Sequence, residues 1–230
     1  FFGQSSFSQY VVTRASNAVV VDPEVDLTLL GPLGCGIQTG SGTVLNRLKP
    51  VVGESLVVFG CGAVGLSAIM AAKLTGCSQI IAVDIHASRL ALAGELGATH
   101  QINGKEQDAV AVIKQITGKG AHYAVETTGV SAIVLQAVHA VKPLGTVAIV
   151  GFTGDITLNV QNDLMAEGKS LVGVIEGDAV PALFIPLLVQ LYKQGKFPID
   201  KLIARYPLAD INQAFADSAS GKVIKPVVVM

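Results

Sequence analysis

Phe59-Gly60-Cys61-Gly62-Ala63-Val64-Gly65 decides the fold. It carries a Gly-x-Gly-x-x-Gly pattern directly after an apolar run at 56–59 and directly before a stretch of helical period at 64–74. In that setting each glycine has a task. Gly60 makes the tight turn, Gly62 lets the backbone approach a pyrophosphate, and Gly65 lets the helix pack on the strand. The pyrophosphate then rests on the amides of the first helical turn, with Ala63 and Val64 in it, where the helix dipole favours anions.

A glycine pattern alone also fits a glycine-rich turn of another α/β fold. The second half of the fingerprint narrows the choice. Asp84 ends the next apolar run, nineteen residues after Gly65. A carboxylate there accepts hydrogen bonds from both ribose hydroxyls of an adenosine and repels a 2′-phosphate, so it favours NAD over NADP. Arg89, five residues on, could pair with a phosphate and works against that preference. An ionised acid in a desolvated site costs more than a flexible arginine nearby recovers, so NAD stands. His86, in the same loop, reads first as a solvated histidine and second as an adenine contact.

Working outward, apolar runs recur at 56–59, 80–83, 123–125, 147–150 and 171–175, with a weaker one at 99–102. Helical stretches separate them at 64–74, 88–96, 108–116 and 132–141. Runs that are continuous rather than alternating imply burial on both faces. With helical crossovers, that predicts a doubly wound, parallel, six-stranded α/β sheet of the Rossmann type. Upstream, residues 1–23 are rich in β-branched residues and predict short strands. Residues 24–49 are interrupted by Gly31 and Pro32, then pass through small residues into a helix ending near residue 48. Downstream, 180–194 predicts a helix, 202–206 a strand, 210–217 a helix and 223–229 a final strand. Pro226 lacks an amide donor, which places that last strand at an edge.

Composition agrees. The chain has 230 residues, 50% hydrophobic and 14% charged, against about 25% charged in a usual soluble domain; this excludes disorder. A formal charge of −1 removes the electrostatic case for nucleic acid or an anionic membrane. The longest apolar stretch, 180–192, is broken by Pro186 and too short to span a bilayer. Three cysteines argue against a secreted disulfide framework and for a reducing, cytoplasmic setting.

Cys35 lies in Gly31-Pro32-Leu33-Gly34-Cys35-Gly36. By spacing alone it reads as a small buried cysteine in a tight turn. A zinc site needs three or four ligands, and neither Cys61, Cys77 nor the four histidines stand at ligand spacing to it. Any metal there has to be completed from outside the chain. Glu126, before Thr127-Thr128-Gly129, reads as a hydrogen-bonded structural acid or as part of a cofactor-lining loop. No hydrolase elbow is present.

Several segments together resemble the zinc-dependent medium-chain alcohol dehydrogenases, in the aryl or benzyl alcohol dehydrogenase branch. They are Phe2-Gly3-Gln4-Ser5-Ser6-Phe7-Ser8-Gln9-Tyr10, Leu33-Gly34-Cys35-Gly36 with Thr39-Gly40, Val64-Gly65-Leu66-Ser67, Val83-Asp84-Ile85, and Gly221-Lys222 with Ile224-Lys225. The resemblance implies that Cys35 is a zinc ligand and that Thr39 and Val64 lie at the nicotinamide. It implies that Thr127, Thr128, Val150, Gly151 and Phe152 line the cofactor cleft. Ile175 and Glu176 would lie near the nicotinamide amide. Lys225 would contact the pyrophosphate, without the bidentate option of the arginine often found there.

The resemblance also sets expectations for the whole. Residues 38–176 would be the NAD-binding domain. Residues 1–37 and 177–230 would be the two ends of a split, GroES-like catalytic domain, whose N-terminal lobe with its other zinc ligands precedes Phe1. The parent enzyme would oxidise a primary alcohol, aromatic in the nearest branch, to an aldehyde, using NAD and zinc. It would be a homodimer or homotetramer, and the 230 residues alone would be inactive. Two other readings stay open: an inert NAD-binding module, and a zinc-free medium-chain reductase.

Overall fold

The computed structural model describes residues 7–230. The chain divides into two compact units. One is Gly36–Ala179, and the other combines Phe1–Cys35 with Val180–Met230.

The larger unit is the expected sheet. Its strands are β1 (Ser55–Phe59), β2 (Gln79–Asp84), β3 (His100–Asn103), β4 (Ala121–Glu126), β5 (Val141–Ile149) and β6 (Ser170–Gly173). They lie in the order β3-β2-β1-β4-β5-β6, every pair parallel. That order reverses between β1 and β4, and open α/β sheets bind ligands at the carboxyl ends beside such a switch point. Helix α1 (Gly36–Gly42) precedes the sheet. The crossovers are α2 (Ala63–Thr75), α3 (Ala87–Leu96), α4 (Ala109–Thr117) and α5 (Ser131–Ala140).

Burial explains the continuous apolar runs. Every residue of β1 is buried, as are Ile80, Ile81, Ala82 and Val83 of β2. Val57, Phe59, Ile81 and Val83 join Ile113 and Val138 in one core cluster beneath α4 and α5. Full burial of a side chain such as Ile81 or Phe59 stabilises by about 1.5–3 kcal/mol. Helix α4 starts where Asp108 accepts from the Ala111 amide at 3.1 Å, an N-cap of the usual kind. Helix α1 widens into a further helical turn at Thr43–Leu48 and stops at Lys49, whose φ is +50°.

In the smaller unit, α6 (Pro181–Lys193) runs through Pro186, and β7 (Ile203–Pro207) pairs in parallel with β8 (Lys225–Val229). Ala204 stands opposite Pro226, so this proline lies in a two-stranded sheet. Helix α7 (Ile211–Ala219) presents Asp217, whose carboxylate accepts from Tyr206 at 2.8 Å, Gln213 at 2.8 Å and Lys222 at 3.0 Å.

Among the described residues 7–23 the expected short strands do not form. Between residues 7 and 23 the only regular element is a single 3₁₀ turn, Ala15–Asn17, and the segment joins neither sheet. Val12 and Val20 stand 93% and 91% exposed. β-branched composition favours a pleated, half-buried surface, and without a neighbouring strand it makes no ladder. Residues 1–6, and with them the first part of the resemblance segment at 2–10, lie outside the described residues.

Candidate functional site

At the carboxyl ends of β1, β2 and β4 the larger unit encloses a cavity of about 560 Å³. Two glycines of the loop after β1 are needed for the backbone to be there at all. Gly60 has φ +92°, and a Cβ on it would stand 2.6 Å from the Thr127 hydroxyl. A Cβ on Gly65 would stand 1.8 Å from the Gly60 carbonyl oxygen, which fixes how closely α2 approaches the loop. Gly62 differs: a Cβ there meets nothing within 4 Å, and the residue lines the cavity. A cradle that a side chain would fill has thus been left open.

The walls follow from the strand ends. Thr127 donates from its backbone amide and from its hydroxyl to the Phe59 carbonyl, at 3.0 and 2.8 Å. This ties the loop after β4 to the loop after β1. Gly60 donates to the Val83 carbonyl at 2.8 Å and ties β1 to β2. Asp84 closes that corner. One carboxylate oxygen accepts from the Cys61 amide at 2.6 Å, and the other accepts from Ile85 and His86 at 2.7 and 2.9 Å. A carboxylate has about four acceptor positions. Three are taken by amides, leaving about one for a ligand hydroxyl, where the sequence reading assigned Asp84 two ribose hydroxyls.

Arg89 also lines the cavity, and its Nε is buried with no hydrogen-bond partner. A buried donor without an acceptor is costly, and an oxygen-rich ligand in the cavity would supply one. The first-turn amides of α2 have no acceptor within the helix, and no acidic side chain stands in that turn to compete with an anion. Half-buried glycine backbone, free amides, an acid at the β2 end and an unpartnered guanidinium nitrogen together fit a dinucleotide.

Of the residues singled out from sequence, Gly60, Gly62, Val64, Asp84, Arg89, Thr127 and Thr128 meet in this cavity. Ala63 and Gly65 belong to the same turn, behind it. Val150 and Gly151 follow β5 and donate to the Glu126 carbonyl at 2.9 and 3.1 Å, one strand away from the lining. Phe152 and Ile175 are 94% and 82% exposed. Cys35 and Lys225 belong to the smaller unit. The sequence reading missed Gly104, Val130, Ile133 and Gln136 as lining. Their signal was positional, since Gly104 follows the β3 end and the other three open or follow the turn into α5.

Glu126 takes the structural role. Fully buried, its carboxylate accepts from the Thr128 amide at 2.6 Å, from the Thr128 hydroxyl in a very short bond, and from the Gly129 amide at 3.2 Å. It holds the turn that carries Thr127 and Thr128. Cys61 is buried, and that burial, with the Asp84 charge beside it, pushes its thiol far above the ordinary range. It is a packed neutral thiol and not a nucleophile.

Thr39 and Glu176 are brought together. The Thr39 hydroxyl stands 3.3 Å from Glu176 Oε2, and the Gln38 side-chain amide donates to the same oxygen at 3.0 Å. Helix α1 lies against the start of α2 closely enough that a Cβ on Gly40 would meet the Val64 carbonyl oxygen at 1.9 Å. Among the described residues no three His, Cys, Asp or Glu side chains group as metal ligands. Cys35 is exposed, and the described residues do not make a zinc site on their own. Among them no helix is long and apolar enough to cross a membrane.

Comparison with known proteins agrees with this architecture. Residues 63–193 match the family described as zinc-binding dehydrogenase. The chain is 44% identical over 235 residues to a geraniol dehydrogenase of Castellaniella defragrans, covering 100% of this chain and 62% of that protein. It superposes on the crystal structure of benzyl alcohol dehydrogenase from Acinetobacter calcoaceticus with a TM-score of 0.96 and 52% identity, covering 99% of this chain and 64% of that one. An alcohol dehydrogenase zinc-binding domain protein from Burkholderia ambifaria gives the same score and identity, over 100% and 63%. The chain thus spans under two thirds of the length of these relatives. With a matching segment that runs from the glycine loop through α6, on a parallel sheet of the expected strand order, the chain belongs to the zinc-binding dehydrogenase family.

Proposed function

We propose that the chain is the cofactor-binding portion of an NAD-dependent, zinc-dependent alcohol dehydrogenase that oxidises a primary, benzyl-type alcohol to the aldehyde. The observation that carries the cofactor choice is Asp84, a buried acid on the cavity wall at the end of β2. A 2′-phosphate there would meet an ionised carboxylate in a desolvated corner. NAD bound here supplies a hydride acceptor. The α2 amides hold its pyrophosphate, Asp84 takes a ribose hydroxyl, and Thr127 and Thr128 keep the cleft between β1 and β4 in shape. The substrate class is supported by the relatives, a geraniol dehydrogenase and a benzyl alcohol dehydrogenase.

On the same reading Thr39 and Val64 serve the nicotinamide end, with Ile175 and Glu176 beyond it, and Val150, Gly151 and Phe152 along the cleft. Lys225 would serve the pyrophosphate. Cys35 is a zinc ligand whose partners come from outside these 230 residues. Three cysteines without a disulfide suit a reducing, cytoplasmic compartment. Two copies pair through the free edge of β6, as a homodimer or within a homotetramer. The test is a fluorescence titration with NADH and NADPH. Tighter binding of NADH by at least tenfold is expected, and equal affinity would remove the role given to Asp84.

A further inference from the structure

The turn after β6 is unusual. Glu176, Gly177 and Asp178 have φ of +50°, +69° and +48°, three left-handed residues in succession, two of them not glycine. Such backbone costs free energy and persists only where the surroundings over-determine it, a pattern that clusters at functional sites. Here the surroundings do so. A Cβ on Gly177 would stand 2.4 Å from the Gln38 carbonyl oxygen, Asn46 donates to the Gly177 carbonyl at 3.0 Å, and Arg47 pairs with Asp178 at 3.6 Å. All of this presses one side chain, Glu176, onto α1. Its Oε2 takes both the Gln38 amide and the Thr39 hydroxyl.

We propose that Glu176 is a positioning residue for the nicotinamide half of the cofactor, a role that rests on the NAD reading above. A hydroxyl has one proton to donate. With that proton committed to the Glu176 carboxylate, the Thr39 oxygen is left as an acceptor only, in one fixed orientation. The strained turn keeps the carboxylate in place, so the α1 face beside Val64 is organised before any ligand arrives. Such pre-organisation raises affinity by lowering the ordering cost of binding. The adenine half, held at Asp84 and the α2 amides, has no part in it.

The test compares two ligands on the 230-residue chain by titration calorimetry. NADH spans both halves, and ADP-ribose lacks the nicotinamide. Glu176→Gln keeps size and removes the charge. Glu176→Gly removes the carboxylate while suiting a φ of +50°, so loss of fold does not confuse the result. Both variants are expected to bind NADH roughly tenfold more weakly and ADP-ribose within about twofold of wild type. NADH affinity unchanged in both, or equal losses for both ligands, overturns the inference and leaves Glu176 a structural residue. Wild type that binds neither ligand overturns the NAD reading itself, and the inference with it.

Discussion

The carboxylate of Asp84, at the end of β2, accepts the backbone N–H of Cys61, inside the glycine loop after β1, at 2.6 Å. On the proposed reading, the acid that would select the cofactor also holds the loop that would bind it, so specificity and loop stability would be coupled at this residue. Hydrogen bonds to a charged group contribute about 1.5–3 kcal/mol each in net terms.

Asp84→Asn tests that double role. The amide keeps the shape but halves the acceptor capacity and loses the charge. The three backbone amides that donate to this side chain lose acceptor capacity, so unfolding by urea is expected at a lower midpoint, by about 1–3 kcal/mol. NADH should bind more weakly and its advantage over NADPH should shrink. A variant with wild-type stability and undiminished NADH preference would mean that the Cys61 contact and the ribose role are both misassigned.

The two glycines beyond Gly60 are predicted to fail in opposite ways. Gly65→Ala drives a methyl into the Gly60 carbonyl at 1.8 Å, so the loop or the helix must move. Its stability should drop by about 1–3 kcal/mol, as for overpacking elsewhere. Gly62→Ala meets nothing within 4 Å, so its melting temperature should stay near wild type. Its methyl projects into the cavity, and both NADH and ADP-ribose should bind at least several-fold more weakly. If Gly62→Ala bound both as well as wild type, the pyrophosphate would not lie over that residue.

How far this was readable from sequence depends on range. The strands β1 to β6, the glycine loop and Asp84 were legible because each is written in a short window. A four-residue apolar run, a glycine spacing and an acid at a strand end are local patterns. The failures are of two kinds. The β-branched stretch at 7–23 has the composition of strands but, among the described residues, no strand to pair with, and composition does not report neighbours. The pairs Thr39–Glu176 and Ser55–His122 lie 137 and 67 residues apart and have no local signature. The left-handed φ of Glu176 and Asp178 is equally silent, since neither residue type demands it.

His122 gives a pH dependence with a definite sign. Its Nδ1 accepts from the Ser55 amide at 3.2 Å and stands 2.8 Å from the Ser55 hydroxyl, which itself accepts from the His122 amide at 3.1 Å. Burial, and then the nearby Lys142 charge, hold the imidazole below its ordinary value. A protonated Nδ1 could no longer accept. The unfolded chain takes up the proton near pH 6.5, the folded chain only at lower pH. The stabilisation is therefore present above about pH 6.5 and is lost as pH falls below it, down to the folded value. His122→Asn, which accepts but does not titrate, should flatten the fall in urea midpoint between pH 7.5 and 5.5. An unchanged slope would exclude His122 as its source.

Zinc is expected to be nearly absent from the purified 230-residue chain. A structural or catalytic site takes at least three protein ligands, and no such group occurs among the described residues. Elemental analysis after dialysis should find well under one zinc per chain, and Cys35→Ser should not change it. One tightly held zinc per chain, lost in Cys35→Ser, would show that these residues do complete a site.

The free edge of β6 carries the last prediction. β6 pairs with β5 alone in the six-stranded sheet. Val174, just beyond its end, donates inward to the Ile149 carbonyl at 3.0 Å. In a strand the amides alternate sides, so the Gly173 amide faces away from β5. Exposed edge amides and carbonyls are a template for another strand. Two copies related by a two-fold axis would pair their β6 strands antiparallel and continue the sheet. Light scattering should then report a dimer, and Gly173→Pro, which removes an outward donor and no contact to β5, should shift it toward monomer with its circular dichroism unchanged. A wild-type monomer at high concentration, or a Gly173→Pro dimer as tight as wild type, would place the contact between copies elsewhere.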